Sequence, residues 1–288
     1  MTTSPPIQWY PGHIAKAEKA LVEQLKRVDV VLEVRDARIP LATCHPQVSQ
    51  WISGKNRVLV INRQDMVSTA VQQAWADWFT AQAEQPYFTD AQHGKGVSAV
   101  AKAAQAAGQQ MNQRRRDRGM KPRPVRAVVI GFPNVGKSAL INRLLKRRVV
   151  ESARRPGVTR QLRWIRLSDE LELLDAPGVL PAHLKDQEAA VKLAICDDIG
   201  TAAYDNQRVA AQLVDLVEQL QQRSPHFMPQ RVFAKRYGLE VGDLNGEAYL
   251  SALAEVQDQG NIERTARRML TDFRKGDLGT LALEVPPH

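Results

Sequence analysis

The feature that most constrains the fold of this chain is the octapeptide GFPNVGKS at Gly131–Ser138. It follows the apolar, β-branched run Val125–Ile130 and precedes the helix-like stretch ALINRLLK. Strand, glycine-rich loop and helix therefore occur in the order of a phosphate-binding P-loop. In such a loop, backbone N–H groups and the positive end of the helix face phosphate oxygens. We expect Lys137 to reach the β- and γ-phosphates and Ser138 to ligate Mg²⁺.

A second phosphate-end motif is DAPG, from Asp175 to Gly178, which has the pattern DxxG and follows the apolar run LELL. We expect Asp175 to hold Mg²⁺ through a water molecule and the Gly178 N–H to meet the γ-phosphate. DxxG alone is commonly just a turn, and its position after a P-loop and a strand favours the functional interpretation. Between the two motifs, PGVT presents Thr159, which is expected to complete the Mg²⁺ shell when γ-phosphate is present. The predicted phosphate-binding residues are Gly131, Asn134, Val135, Gly136, Lys137, Ser138, Ala139 and Gly178.

A base-reading motif precedes the P-loop. The sequence NRQD, from Asn62 to Asp65, follows an apolar run and has the spacing of the guanine-reading motif N-K-x-D, with Arg63 in the lysine position. A carboxylate at Asp65 can accept from both N1–H and the exocyclic amine of guanine, and a site built on these bonds rejects adenine. The aliphatic stem of Arg63 can still cover the base. After a helix and a short strand, the sequence TDA stands where a loop would offer a backbone N–H to guanine O6. The predicted guanine-binding residues are Asn62, Arg63, Asp65, Asp90 and Ala91.

The order of these motifs predicts the architecture. Strand-like and helix-like segments alternate up to residue 181, as in a parallel α/β sheet, and almost only helical patterns follow. Because the guanine-reading motif comes before the P-loop, we predict a circularly permuted P-loop GTPase domain over residues 1–181, with a mostly parallel sheet flanked by helices. A small all-α C-terminal domain follows over residues 182–288. The polar, basic segment Gln109–Pro124 is expected to be the exposed connector that joins the original termini.

Positive charge is concentrated towards the front of the chain. The net charge is +9, yet residues 184–288 contain 12 Lys and Arg against 16 Asp and Glu. Residues 112–166 are dense in Lys and Arg, with only Asp117 and Glu151 as acids. Such a block suits a polyanion, RNA above all, because each neutralised phosphate releases counterions; a solvated basic face that aids solubility is the alternative. The predicted RNA-binding residues are Arg114, Arg115, Arg116, Arg147 and Arg148.

Composition limits the cellular setting. Cys44 and Cys196 are the only cysteines, which indicates a reducing compartment rather than a disulfide framework. No run of about 18 apolar residues occurs, as a membrane-spanning helix would require. We therefore expect a cytoplasmic protein without a membrane partner, and a monomer.

Further motifs extend over nearly the whole chain. They are WYPGHIAKA at Trp9–Ala17, RDARIP at Arg35–Pro40, and FRKGDLG at Phe273–Gly279, beside GFPNVGKS, PGVT and DAPG. In this combination the chain resembles the ribosome biogenesis GTPase A family of the YlqF type. The resemblance implies a GTP-binding and GTP-hydrolysing assembly factor for the large (50S) ribosomal subunit. It also implies that the factor binds rRNA and is stimulated by the ribosomal particle.

The sequence departs from the usual GTPase pattern at the residue that orients the water that attacks GTP. Val179 and Leu180 follow Gly178, where many GTPases have a glutamine that orients this water, so slow intrinsic turnover is expected. The resemblance implies His13 as the substitute, since a neutral imidazole can orient water; a packing or RNA-contacting role is the alternative. Asn134 matches the residue that related GTPases use to hold K⁺ beside the phosphates, so K⁺ activation is expected in addition to Mg²⁺. A loop-stabilising role for Asn134 is the alternative.

Two other functions stay open at this point. The missing glutamine also fits an RNA-binding module whose nucleotide site hardly turns over. A metabolic or kinase-type P-loop enzyme is disfavoured, because Asn62 and Asp65 match a guanine-reading motif and no second substrate motif is evident. Comparable affinities for ATP and GTP would favour the metabolic or kinase-type enzyme.

Overall fold

The computed structural model of the protein describes residue 7 and residues 21–145, 163–167, 169, 171–175, 186–200 and 204–287. The chain divides into two compact units. The sheet unit comprises Tyr10–Gln64 and Ala76–Ala182, and the helical unit comprises Met1–Trp9, Asp65–Trp75 and His183–His288. The helical unit thus contains two short segments from the first half of the chain besides the C-terminal helices.

Six strands form one sheet in the sheet unit. They are β1 (Val30–Asp36), β2 (Asn56–Asn62), β3 (Pro86–Thr89), β4 (Val125–Ile130), β5 (Arg163–Arg166) and β6 (Leu171–Asp175), in the order β3-β2-β1-β4-β6-β5. Neighbouring strands are parallel except β5, which is antiparallel to β6. Every residue of β1 is buried, including Glu33, Arg35 and Asp36, as expected for a central strand of a parallel sheet that is covered on both faces. The mostly parallel sheet confirms the predicted fold class.

Helices connect these strands. They are α1 (Val48–Trp51), α2 (Thr69–Ala81), α3 (Val97–Asp117) and α4 (Lys137–Leu144), with a single 3-10 turn at Gln64–Met66. A further helical stretch ends at residue 25. Its Leu21 and Leu25 belong to one buried apolar cluster with Val31 of β1, Ile130 of β4 and Leu174 of β6. This core supports the strand that leads into the P-loop.

Helix α3 covers the first part of the predicted exposed connector Gln109–Pro124. The helix continues to Asp117, so only residues 118–124 join it to β4. Gln, Met and Arg are good helix formers, and the three arginines of the last turn face the negative end of the helix dipole. The remaining link is tied down, because Arg123 Nη1 donates to Asp29 Oδ2 at 2.8 Å.

The C-terminal part of the helical unit confirms the all-helical prediction. Its helices are α5 (Gln187–Ile195), α6 (Asn206–Arg223), α7 (Val232–Tyr237), α8 (Gly246–Asp258) and α9 (Ile262–Lys275). Four of them begin at a side chain that accepts a first-turn N–H; these N-caps are Asp186, Asp205, Asn245 and Asn261. Leu213, Tyr249 and Met269 are fully buried in the core that α6, α8 and α9 share. In the described part of the chain, no helix combines the length and apolar character needed to cross a membrane.

Candidate functional site

Predicted nucleotide-site residues of the sheet unit come together where the parallel strands end. The register of the sheet aligns Asp36 with Asn62, and Asn62 with Thr89, across β1, β2 and β3. The neighbouring strand β4 runs directly into Gly131. The carboxyl edge of a parallel sheet is where α/β proteins bind ligands. The P-loop and part of the base-reading motif are therefore adjacent in space although about 70 residues separate them in sequence.

Two glycines of the P-loop have no room for a side chain. Gly131 has φ 149°, and a Cβ there would lie 2.3 Å from the Val34 carbonyl oxygen. Gly136 is the N-cap of α4 with φ 99°, and its Cβ would lie 2.1 Å from Asn62 Nδ2. Both positions combine a left-handed backbone with close contact, so only glycine fits them without rearrangement.

The start of α4 carries the phosphate chemistry. Lys137 is its first residue and is buried, and its Nζ donates to the Phe132 carbonyl oxygen at 2.6 Å. The ammonium group thus lies against the backbone of the loop. Ser138 and Ala139 follow in the first turn, where helix N–H groups have no partner within the helix. This arrangement suits a polyphosphate, and the Ser138 hydroxyl is the hard oxygen ligand that Mg²⁺ prefers.

Asn62 links the P-loop to the loop after β3, residues 90–93, which we call the base-side loop. Its Nδ2 donates to the Val135 carbonyl oxygen at 2.8 Å. Its Oδ1 accepts from the Thr89 hydroxyl and from the Ala91 N–H, both at 3.0 Å. Because Asn62 is buried, the loss of its side chain would leave three buried groups without these bonds. Asn62 therefore sets the spacing between the two halves of the site.

Arg63, which stands in the lysine position of the guanine-reading motif, makes polar contacts with the P-loop and with Asp36. It has a left-handed backbone with φ 64°. Its Nη2 donates to the Asn134 carbonyl oxygen at 2.7 Å, and its Nε lies 3.4 Å from Asp36 Oδ2. Asp36 is fully buried and also receives two bonds from the guanidinium of Arg38. Burial by itself raises the pKa of Asp36, but the charges of Arg38 and Arg63 outweigh it and hold the pKa below its usual range.

The base-side loop is ordered by its own side chains. Asp90 Oδ1 accepts from the N–H groups of Gln92 and His93, both at 3.0 Å, and Asp90 Oδ2 lies 2.6 Å from His93 Nδ1. Arg143 of α4 donates to the Ala91 carbonyl oxygen at 3.4 Å and to that of Gln92. The carboxylate of Asp90 thus accepts hydrogen bonds within its own loop, and the Ala91 N–H donates to Asn62. Contacts of Asp90 and Ala91 with guanine stay predictions.

The other predicted residues lie as follows. Asp65 is exposed, in the 3-10 turn directly after β2. Arg114, Arg115 and Arg116 form the last turn of α3, with Arg114 and Arg116 exposed. Asp175 is the last residue of β6, and its side chain is outside the described structure. His13, Arg147, Arg148, Thr159 and Gly178 lie outside the described residues.

Three site residues had no individual role in the sequence interpretation. Asp36 appeared there only within the motif RDARIP, Thr89 only as the start of TDA, and Arg143 only as part of the P-loop helix. A signal for Asp36 existed, because it ends a strand-like run as Asn62 does. The contacts of Arg143 had no local signal, since they join segments 51 and 52 residues apart.

The chain is similar to known GTPases. The family described as "50S ribosome-binding GTPase" matches residues 126–234. Ribosome biogenesis GTPase A of Priestia megaterium is 35% identical over 283 residues, which cover 97% of each chain. That of Bacillus cereus is 33% identical over 286 residues, which cover 97% of this chain and 94% of the relative.

Solved structures show the same fold. GNP-bound YlqF from T. maritima has a TM-score of 0.62 and 23% identity, over 94% of this chain and 98% of that one. A GDP-bound YlqF structure has a TM-score of 0.64 and 22% identity, over 93% and 99%. GTPases of this kind generally use Mg²⁺. The Ser138 hydroxyl described above is a suitable ligand for it. The chain therefore belongs to the ribosome biogenesis GTPase A family and is a GTP-binding and GTP-hydrolysing enzyme of ribosome biogenesis.

Proposed function

We propose that this GTPase is an assembly factor for the large (50S) ribosomal subunit, that it binds the rRNA of that subunit, and that the ribosomal particle stimulates its hydrolysis of GTP. The observation that carries the proposal is the match to a family described as 50S ribosome-binding. The proposed division of labour assigns catalysis to a GTPase domain at residues 1–181 and further contacts to a helical domain at residues 182–288. We propose that it acts as a monomer.

The proposed roles at the site rest on the geometry of the P-loop and, for the other residues, on the sequence motifs. The P-loop backbone and Lys137 hold the β- and γ-phosphates, and Asp65 reads guanine. Ser138 and Thr159 ligate Mg²⁺, with Asp175 acting through water, and the Gly178 N–H senses the γ-phosphate. We propose K⁺ next to Asn134, where it supplies positive charge for the transition state.

Hydrolysis with and without ribosomal particles tests the proposal. In K⁺ buffer, large subunits are expected to raise the turnover rate at least about tenfold, and small subunits are not. His13→Ala is expected to lose the stimulation while GTP affinity stays unchanged, because an imidazole that orients water acts in the chemical step. Replacement of K⁺ by Na⁺ is expected to lower the rate. Phosphate release and equilibrium nucleotide binding measure the two effects separately.

The outcomes separate the competing functions. Lys137→Ala is the control, since loss of a phosphate contact lowers nucleotide affinity as well as rate. A rate that no subunit changes would remove the stimulated assembly factor and favour an RNA-binding module with a slow nucleotide site. Stimulation that survives in His13→Ala would assign His13 to packing or RNA contact.

The exposed end of α3 is the proposed RNA surface. Arg114→Glu, Arg115→Glu and Arg116→Glu together are expected to weaken rRNA binding by about tenfold or more and to flatten its salt dependence by about two to three units of log–log slope. A matched control reverses Lys26, Arg27 and Lys102, three exposed basic residues of the sheet unit outside the block, and changes net charge equally. Binding is measured at several salt concentrations. Equal slopes for the two triple variants would assign the block to solubility.

A further inference from the structure

The motif FRKGDLG, from Phe273 to Gly279, has no part in the nucleotide chemistry described above. It ends α9 and reverses the chain. Gly276 caps the helix in a left-handed conformation with φ 85°. Its N–H donates to the Phe273 carbonyl oxygen at 3.2 Å, and the Asp277 N–H donates to that of Asp272 at 2.9 Å. Such a helix end directs the following residues back along the unit.

The returning segment contacts the chain directly after the guanine-reading motif. The Leu281 N–H donates to the Met66 carbonyl oxygen at 3.0 Å. The side chain of Met66 also lies against Gly276, with its Sδ and Cε 3.5 Å from the position of a Cβ on that glycine. Leu281 is buried, and Glu284 beyond it is also buried, 3.5 Å from Lys192 Nζ of α5. The C-terminal segment is thus anchored on both sides of its bond to Met66.

Met66 is the residue next to Asp65. The two share the 3-10 turn Gln64–Met66, and Asp65–Trp75 belongs to the same compact unit as the C-terminal helices. Asn62, three residues before Asp65, is held by three hydrogen bonds in the sheet unit. The exposed carboxylate of Asp65 therefore lies in a short turn. The last residue of this turn, Met66, is hydrogen-bonded to the C-terminal segment. Because hydrogen bonds weaken steeply outside a narrow range of distance and angle, a shift of Asp65 by about 1 Å is enough to weaken the two bonds that its carboxylate is expected to accept from guanine.

We propose that the C-terminal segment Gly276–Leu281 positions Asp65 and thereby sets the discrimination of guanine. The inference rests on the proposed guanine-reading role of Asp65. It makes Leu281 and Gly276 positioning residues, which act on the base through Met66. Phosphate affinity does not depend on this segment, because the P-loop contacts come from the sheet unit.

The test uses the full chain and the ratio of its affinities for GDP and IDP. Inosine lacks the exocyclic amine, so this ratio reports one of the two bonds to Asp65. Leu281→Pro removes the N–H that bonds Met66. We expect the GDP/IDP affinity ratio to fall by about tenfold, the size of one hydrogen bond to a charged group. IDP affinity is expected to fall less than GDP affinity, because inosine loses only the N1–H bond to Asp65.

Two further variants separate positioning from general loss of stability. Leu253→Ala creates a cavity at a buried position of α8, outside the segment Gly276–Leu281, and is expected to keep the wild-type ratio. If it lowers the ratio as much as Leu281→Pro does, the proposal is wrong. If Leu281→Pro does not fold by circular dichroism, Gly276→Ala, which strains the left-handed turn, is expected to lower the ratio by a smaller factor. An unchanged ratio in a folded segment variant also overturns the proposal.

The variant Asp65→Ala distinguishes a failure of the guanine-reading role of Asp65 from a failure of the positioning proposal. It is expected to bring the GDP/IDP ratio close to one. If Asp65→Ala leaves the ratio at its wild-type value, the guanine-reading role of Asp65 is wrong, and the positioning proposal falls with it. If Asp65→Ala lowers the ratio and the folded segment variants do not, only the positioning proposal is wrong.

Discussion

Asp65→Asn is expected to convert this GTPase from a guanine-nucleotide binder into a xanthine-nucleotide binder. The carboxylate accepts two hydrogen bonds from guanine, each worth about 1.5–3 kcal/mol when the acceptor is charged. The Asn oxygen can still accept from N1–H, but its NH₂ group meets the exocyclic amine of guanine donor to donor and the charge is lost, so GDP affinity is expected to fall by roughly 10²–10⁴-fold. Xanthine carries a carbonyl group in place of the exocyclic amine, and the Asn side chain can donate to it. Titrations of the purified variant with GDP and with XDP measure the exchange of specificity.

The control for this specificity change is Asp90→Asn, the same chemical change at a neighbouring predicted residue. The Asp90 carboxylate bonds the N–H groups of Gln92 and His93 within its own loop. We therefore expect Asp90→Asn to lower affinity for both nucleotides modestly and equally. A variant at Asp65 that loses less than about tenfold in GDP affinity would contradict the guanine-reading assignment. Exchange of specificity in Asp90→Asn instead would move the assignment to the base-side loop.

Asn62→Ala is expected to damage both stability and nucleotide binding. Asn62 bonds Val135, Thr89 and Ala91, and the buried groups of these partners lose their bonds together. The free energy of unfolding is expected to fall by about 2–4 kcal/mol. GDP affinity is expected to fall about a hundredfold or more, because the P-loop and the base-side loop lose their common link. Urea denaturation of the nucleotide-free protein and GDP titration measure the two effects.

Thr89→Val gives a graded comparison with Asn62→Ala. It has nearly the same shape as threonine and removes one of the three bonds to Asn62. We expect it to cost about 1 kcal/mol in stability and to weaken GDP binding far less than Asn62→Ala does. Equal effects of the two variants would mean that the contacts of Asn62 with Val135 and Ala91 contribute little.

The P-loop was predictable because its chemistry is local. Gly131, Gly136 and Lys137 lie within seven residues, and the strand before them and the helix after them follow from short-range patterns. The helical C-terminal part was predictable for the same reason, since its capping residues and helical periodicity are local.

The sequence by itself determined the fold class, the motif order and the residue types of the site. The tertiary structure alone decided which distant groups meet: Asn62 with Val135, Arg63 with Asp36, and Met66 with Leu281. The physical reason is that these contacts depend on strand register and on the path of the chain between elements, which local propensity does not encode. The segment after Asp65 therefore read as the start of an ordinary helix, although its backbone is bound by the far end of the chain.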